Sequence, residues 1–146
     1  MTKLILKFVI ALGIIINLCA CQSLAPSNLY RDLGEQAGIT EVVDNLLFKI
    51  ADNPKILHHF EGVDIDRFRN NFIIHLCELS DGPCRFEGDS MRDIHAGMNI
   101  TAAEFDSLVE NLIDAMEEAG VTFQTQNRLV SRMIAFRDEI VSRGSL

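Results

Sequence analysis

The chain has 146 residues, with 13 Lys and Arg against 21 Asp and Glu, and carries a formal charge of −8. That acidity repels phosphate backbones and excludes nucleic acid as a partner. The length suits one domain with one core, and 48% hydrophobic residues supply the material for it.

The first twenty residues read as an export signal. Lys3 and Lys7 make a basic start, and Phe8 to Leu18 is nearly all apolar. The run is shorter than the roughly 17 to 25 residues of a membrane-spanning helix. Leu18-Cys19-Ala20-Cys21 resembles a bacterial lipobox, which implies cleavage before Cys21 and lipidation there; an ordinary secretory cut near Ala20 is the alternative. By resemblance to the sorting rule of enteric bacteria, Gln22 points to the outer membrane, facing the periplasm. Two or more acyl chains would anchor the protein stably. Removing residues 1–20 leaves 126 residues and takes the formal charge from −8 to −10. Residues 21–28 are polar and contain Pro26, as suits a lipidated tether, and the domain spans 29–146.

Beyond the signal, helical periods recur and strand-like alternation is absent, so the sequence predicts an all-α fold. Thr40 is placed to cap a helix with Val43, Leu46, Leu47 and Ile50 inside, which Asp52-Asn53-Pro54 stops. A turn through Ile56 and Leu57 leads to Phe60. The next helix runs from about Asp64 to Leu79, with Ile65, Phe68, Phe72, His75, Leu76 and Leu79 on one side. Ser80-Asp81-Gly82-Pro83 opens a loop to about Asp89. Thr101-Ala102-Ala103-Glu104 is a capping box that starts the strongest helix: Phe105, Leu108, Val109, Leu112, Ile113 and Met116, ended by Gly120. A last helix turns Leu129, Met133, Phe136 and Ile140 inward and Arg128, Arg132 and Arg137 outward, the arginines reading as a solvated face.

Between the loop and the capping box lies a short helix with Met91, Ile94, His95 and Met98 on one face, ended by Gly97 and Asn99. An imidazole among apolar neighbours is either a hydrogen-bonded core residue or an axial ligand of haem iron, its second nitrogen held by a carbonyl. Phe60, Phe68 and Phe72 with Leu46 and Leu47 supply walls for a flat hydrophobic cofactor, or simply fill a core. Cys77 and Cys84 are the cysteines of the domain beyond the signal and tether, and an oxidising compartment favours a disulfide between them over free thiols. A zinc site from His75, Cys77, Cys84 and His95 matches no common ligand spacing.

From about Leu29 to Val141 the sequence resembles the group I truncated haemoglobins. The resemblance is carried by Leu29-Tyr30-Arg31-Asp32-Leu33-Gly34, Ala51-Asp52-Asn53-Pro54, and His59-Phe60-Glu61-Gly62-Val63-Asp64. It continues through Gly82-Pro83, Phe86-Glu87-Gly88, and the run Met91 to Thr101 that contains His95. It implies a two-over-two helical sandwich around one haem b, with His95 as the iron ligand and Phe60 stacked on the porphyrin. Met91 and Ile100 would line the proximal side, with Phe105 and Val109 behind. On the distal side the family often has tyrosine where Leu47 stands and glutamine at Phe72, while the site matching Phe68 varies; here all three are apolar. A gas that meets no donor in a dry pocket loses about 1–3 kcal/mol, so fast oxygen release and weak discrimination against carbon monoxide are expected. His75, on the Phe68 and Phe72 face, is the one polar candidate there, as edge shield, donor, sixth ligand, or a residue at the pocket mouth. His58 and His59 read as surface residues. Glu35 and Asp81 stand where the family has the second glycine of a pair, so those loops are expected to differ slightly.

These readings converge on an envelope-anchored globin that reversibly binds oxygen, nitric oxide or carbon monoxide, its iron reduced by an unknown electron donor. The alternatives are a haem enzyme of nitric oxide dioxygenase or peroxidase type, which an apolar distal wall disfavours, and a haem-free helical interaction module.

Overall fold

Residues 28–142 are described by the computed structural model; the signal segment, Cys21 and the tether up to residue 27 lie outside the described residues. The elements are α1 (Leu29–Asp32), α2 (Glu35–Ala51), a 3-10 turn (Leu57–Phe60), α3 (Ile65–Leu79), α4 (Met91–Ile94), α5 (Ala102–Glu118), α6 (Phe123–Ile134) and α7 (Arg137–Ile140). No strand occurs among the described residues. α2 packs on both α3 and α5, and α5 packs on α6, so one helix pair lies over another. Val43, Leu46 and Ile50 of α2 bury against Ile73 and Leu76 of α3, Leu112 and Met116 of α5, and Leu129 of α6. Removing these side chains from water is the main stabilising term.

α2 begins five residues before Thr40, which caps nothing. Its hydroxyl instead donates to the Gln36 carbonyl at 2.7 Å, the usual use of a threonine inside a helix. The true start is set by the tight turn from α1. Gly34 has φ 85° there, and a Cβ on Gly38 would lie 2.0 Å from the Leu33 carbonyl oxygen. Glu35 (φ 59°) and Asp81 (φ 64°) keep the left-handed backbone that a glycine would adopt without strain.

α3 has two buried faces. Ile73, Leu76 and Cys77 face the core, while Phe68, Phe72 and His75 face a cavity. Ile65, expected inside, is 42% exposed in the first turn, where no neighbouring element covers it. Asp64 caps the helix by accepting from the Arg67 N–H at 3.0 Å.

The loop after α3 is tied down at several points. Cys77 and Cys84 form a disulfide with Cα atoms 5.7 Å apart, which removes both thiols from any zinc site. The Gly82 N–H donates to the Cys77 carbonyl at 2.8 Å, and the Phe86 N–H to Glu78 Oε2 at 3.1 Å. A Cβ on Gly82 would meet the Tyr30 ring and the Cys77 sulfur at 2.6 and 2.7 Å, so this close approach needs glycine. Arg132 donates to the Leu79 carbonyl and pairs with Asp81 at 2.6 Å. Arg128 pairs with Asp32 at 2.5 Å and Arg137 with Asp106 at 3.4 Å. The arginines expected to form a solvated face therefore strap α6 and α7 to α1, the loop and α5. Their partners are distant in sequence, which is why periodicity missed them.

The capping box forms: the Glu104 N–H donates to Thr101 Oγ1 at 3.3 Å, and the Thr101 N–H to Glu104 Oε2 at 2.7 Å. The last helix stops at Ile134 and resumes at Arg137, so Ile140 belongs to a separate short helix.

Candidate functional site

A helix that places side chains at i, i+3, i+4 and i+7 presents them as one wall. On α3 these are Phe68, Asn71, Phe72 and His75, and they line a cavity of about 340 Å³. Phe105, Leu108, Val109 and Leu112 of α5 form the opposite side. Met91, Ile94, His95, Met98 and Ile100 close a third side, and Phe60 and Leu46 also line the cavity.

Of the residues expected to contact haem, Leu47 alone is missing from this lining. Leu46, its neighbour, takes the place and is fully buried. Adjacent helical residues point about 100° apart, so only one of the two faces the cavity. The Met91 face also differs from a sealed core face: Ile94 lines the cavity yet is 43% exposed.

His95 follows α4 as its C-cap residue. Its Nδ1 lies 2.7 Å from the Met91 carbonyl oxygen. A carbonyl only accepts, so Nδ1 carries the proton and the Nε2 lone pair is left for a ligand bond. Gly97 (φ 80°) and Asn99 (φ 54°) turn the chain immediately afterwards, keeping the segment short.

His75 does not stand at the cavity mouth; it is 8% exposed and boxed among rings. Its centroid is 5.3 Å from Phe86, 5.6 Å from Phe136 and 6.4 Å from Phe72. Burial pushes its pKa below the ordinary histidine value; Glu78 opposes the shift and His95 adds to it. The imidazole is therefore neutral near pH 7. Phe68 and Phe72 stack at 5.5 Å, and Phe60 meets Phe68 edge-on at 5.2 Å.

The expectation of a single polar candidate on the distal side needs correcting. Asn71 also lines the cavity, in the helical slot between Phe68 and His75. His59 is no surface residue either: its side chain is 12% exposed and, with Glu104, lines the rim, whereas His58 is 52% exposed. The Thr101 N–H and hydroxyl hold the Glu104 carboxyl down at about 2, with His59 adding a smaller pull.

A mostly apolar cavity and one imidazole with a fixed tautomer and a free Nε2 fit a flat hydrophobic macrocycle that carries a metal. Phe60 and Phe68 offer faces for its ring. His95 alone does not fit a bare ion held by a protein cage, which would need three or four ligands.

Comparison with known proteins agrees with this geometry. A model of the bacterial-like globin family matches residues 28–142. A group 1 truncated hemoglobin of Nostoc sp. (strain MUN 8820) is 30% identical over 117 residues, covering 80% of this chain and 99% of the relative. The truncated hemoglobin of Tetrahymena pyriformis, solved in its Fe(III) form, superposes with a TM-score of 0.77 at 26% identity, covering 80% of this chain and 100% of that one. The 2/2 hemoglobin of Synechococcus sp. PCC 7002 shares the fold with a TM-score of 0.74 at 23% identity, covering 80% of this chain and 100% of its own.

Proposed function

The chain belongs to the bacterial-like globin family, and from that premise we propose that it holds haem b in the cavity between α3 and α5 and reversibly binds oxygen or another diatomic gas. The observation that carries the proposal is the His95 Nδ1 contact with the Met91 carbonyl at the wall of that cavity. It fixes the ring and its tautomer and makes Nε2 a better base, as ligating histidines require. Haem, when bound, would supply an iron able to take a small gas.

The remaining residues position and exclude. Phe60 and Phe68 flank the ring, while Met91, Ile100, Phe105 and Val109 keep water from the His95 side. Asn71 and neutral His75 are the hydrogen-bond donors available on the α3 side. Gas retention therefore depends on these two side chains and not on the residues at 47 and 72.

Haemin titrated into haem-free protein tests this reading. A Soret band that saturates at one equivalent, and shifts with carbon monoxide after reduction, is expected. Failure to take up haem stoichiometrically would overturn the proposal. Sustained consumption of nitric oxide with an added electron donor would redirect it to an enzyme. We further propose that the domain is lipid-anchored at Cys21 in the cell envelope, on the strength of Leu18-Cys19-Ala20-Cys21. Mass spectrometry showing a mature chain that starts elsewhere, without acyl groups, would remove the anchor.

A further inference from the structure

At the cavity rim, His58 and His59 at the end of the 3-10 turn meet Glu104 in the first turn of α5. One ligand atom from each lies within 4.8 Å of the other two. His58 Nε2 and His59 Nε2 are both 3.4 Å from Glu104 Oε1. We propose that these three residues form a site for a divalent transition-metal ion of the zinc class, at the rim of the macrocycle cavity and distinct from His95.

Ligand chemistry and geometry both support the site. Zinc takes imidazole nitrogen and carboxylate oxygen at about 2.0–2.2 Å in a tetrahedral array, which puts neighbouring ligand atoms about 3.4 Å apart. Both nitrogen-to-oxygen separations have that length. His59 Nε2 is buried and has no hydrogen-bond partner, although Glu104 Oε1 is 3.4 Å away. At 3.4 Å an N–H to the carboxylate is a long bond at best, whereas the same spacing suits two ligands of one ion. Buried polar atoms left without a partner are uncommon, and a bound ion is one of the recognised reasons for one.

Glu104 is prepared as a ligand by its neighbours. Its Oε2 accepts from the Thr101 N–H and hydroxyl, both at 2.7 Å, which fixes the carboxylate and leaves Oε1 toward the histidines. Outer partners of this sort orient metal ligands elsewhere. The exposed His58 gives the ion a route from solvent, and three protein ligands leave a fourth position for water. A bound ion would also join two cavity walls, because Phe60 ends the 3-10 turn and Phe105 follows Glu104.

Calorimetric titration of Zn²⁺ into the full chain with its cofactor tests the site. His58→Ala and Glu104→Gln remove a ligand with little risk to folding, since His58 is exposed and glutamine still completes a capping box. The wild type is expected to bind one equivalent that either substitution weakens at least tenfold, and Glu118→Gln leaves unchanged. Zinc should raise the Tm of the wild type and not of the two ligand variants. Equal binding by wild type and both variants, or no zinc binding by the wild type, would overturn the assignment. The Soret band recorded in parallel reports on haem separately, so failure of one site is distinguishable from failure of the other.

Discussion

Opening the Cys77–Cys84 disulfide should weaken the fold without disturbing the cavity. The bridge closes a loop between residues 77 and 84. For about eight residues the chain-entropy relation gives about −8 cal/mol/K, or about 2.5 kcal/mol at 25 °C. The loop has other restraints: Gly82 N–H on the Cys77 carbonyl, Phe86 N–H on Glu78, and Arg132 on Asp81. Phe86 should therefore stay against His75, and the loss should come from the freer unfolded chain. Cys84→Ser and reduced wild type are compared with oxidised wild type by urea unfolding. With a slope of about 1–3 kcal/mol/M, the midpoint should fall by about 0.8–2.5 M. The Soret band of the folded variant should be unchanged. Midpoints that do not move in either sample would refute the entropic argument. Loss of haem from folded Cys84→Ser would refute the claim that the remaining contacts hold the wall.

Two further outcomes follow from the contacts. Thr101→Ala removes the side-chain cap of α5 and should cost about 1 kcal/mol in the same unfolding assay, with Glu104 losing the hydroxyl bond but keeping the backbone N–H of residue 101, the larger of the two in holding its carboxyl down. Arg69 grips Asp44 with two bonds, at 2.5 and 2.9 Å, across α2 and α3 and holds that carboxyl below its ordinary 3.8. A depressed carboxyl stabilises the fold above about pH 3.8 and loses that contribution as pH falls through the folded value. Arg69→Ala should flatten this part of the acid unfolding curve. Its cost at neutral pH should stay below about 1 kcal/mol, because the pair is partly exposed and screened by solvent.

What could be read from the sequence was what neighbouring residues decide. The Thr101–Glu104 box, the Asp64 to Leu79 helix and the stop at Asp52 each depend on side chains a few residues apart. The His95 segment belongs with them, because the ring and the carbonyl that holds it lie one helical turn apart. What escaped depends on rotation or on distant partners. Leu46 and Leu47 are equally apolar, and only the packing of α2 on α3 and α5 turns one of them inward. Thr40 looked like a cap because the true start is set by the α1 turn and Gly38. Asn71 sat in the same helical slot as its aromatic neighbours, so the spacing was available; its polarity hid it. His59 and Glu104 are 45 residues apart in the sequence, and no local pattern joins them.

The most direct test of the account replaces the imidazole itself. His95→Gly, with haem added, should lose the ferrous spectrum of the wild type and regain it when free imidazole is supplied in solution. A His95→Gly spectrum identical to the wild type without imidazole would contradict the assignment of His95 as the axial ligand.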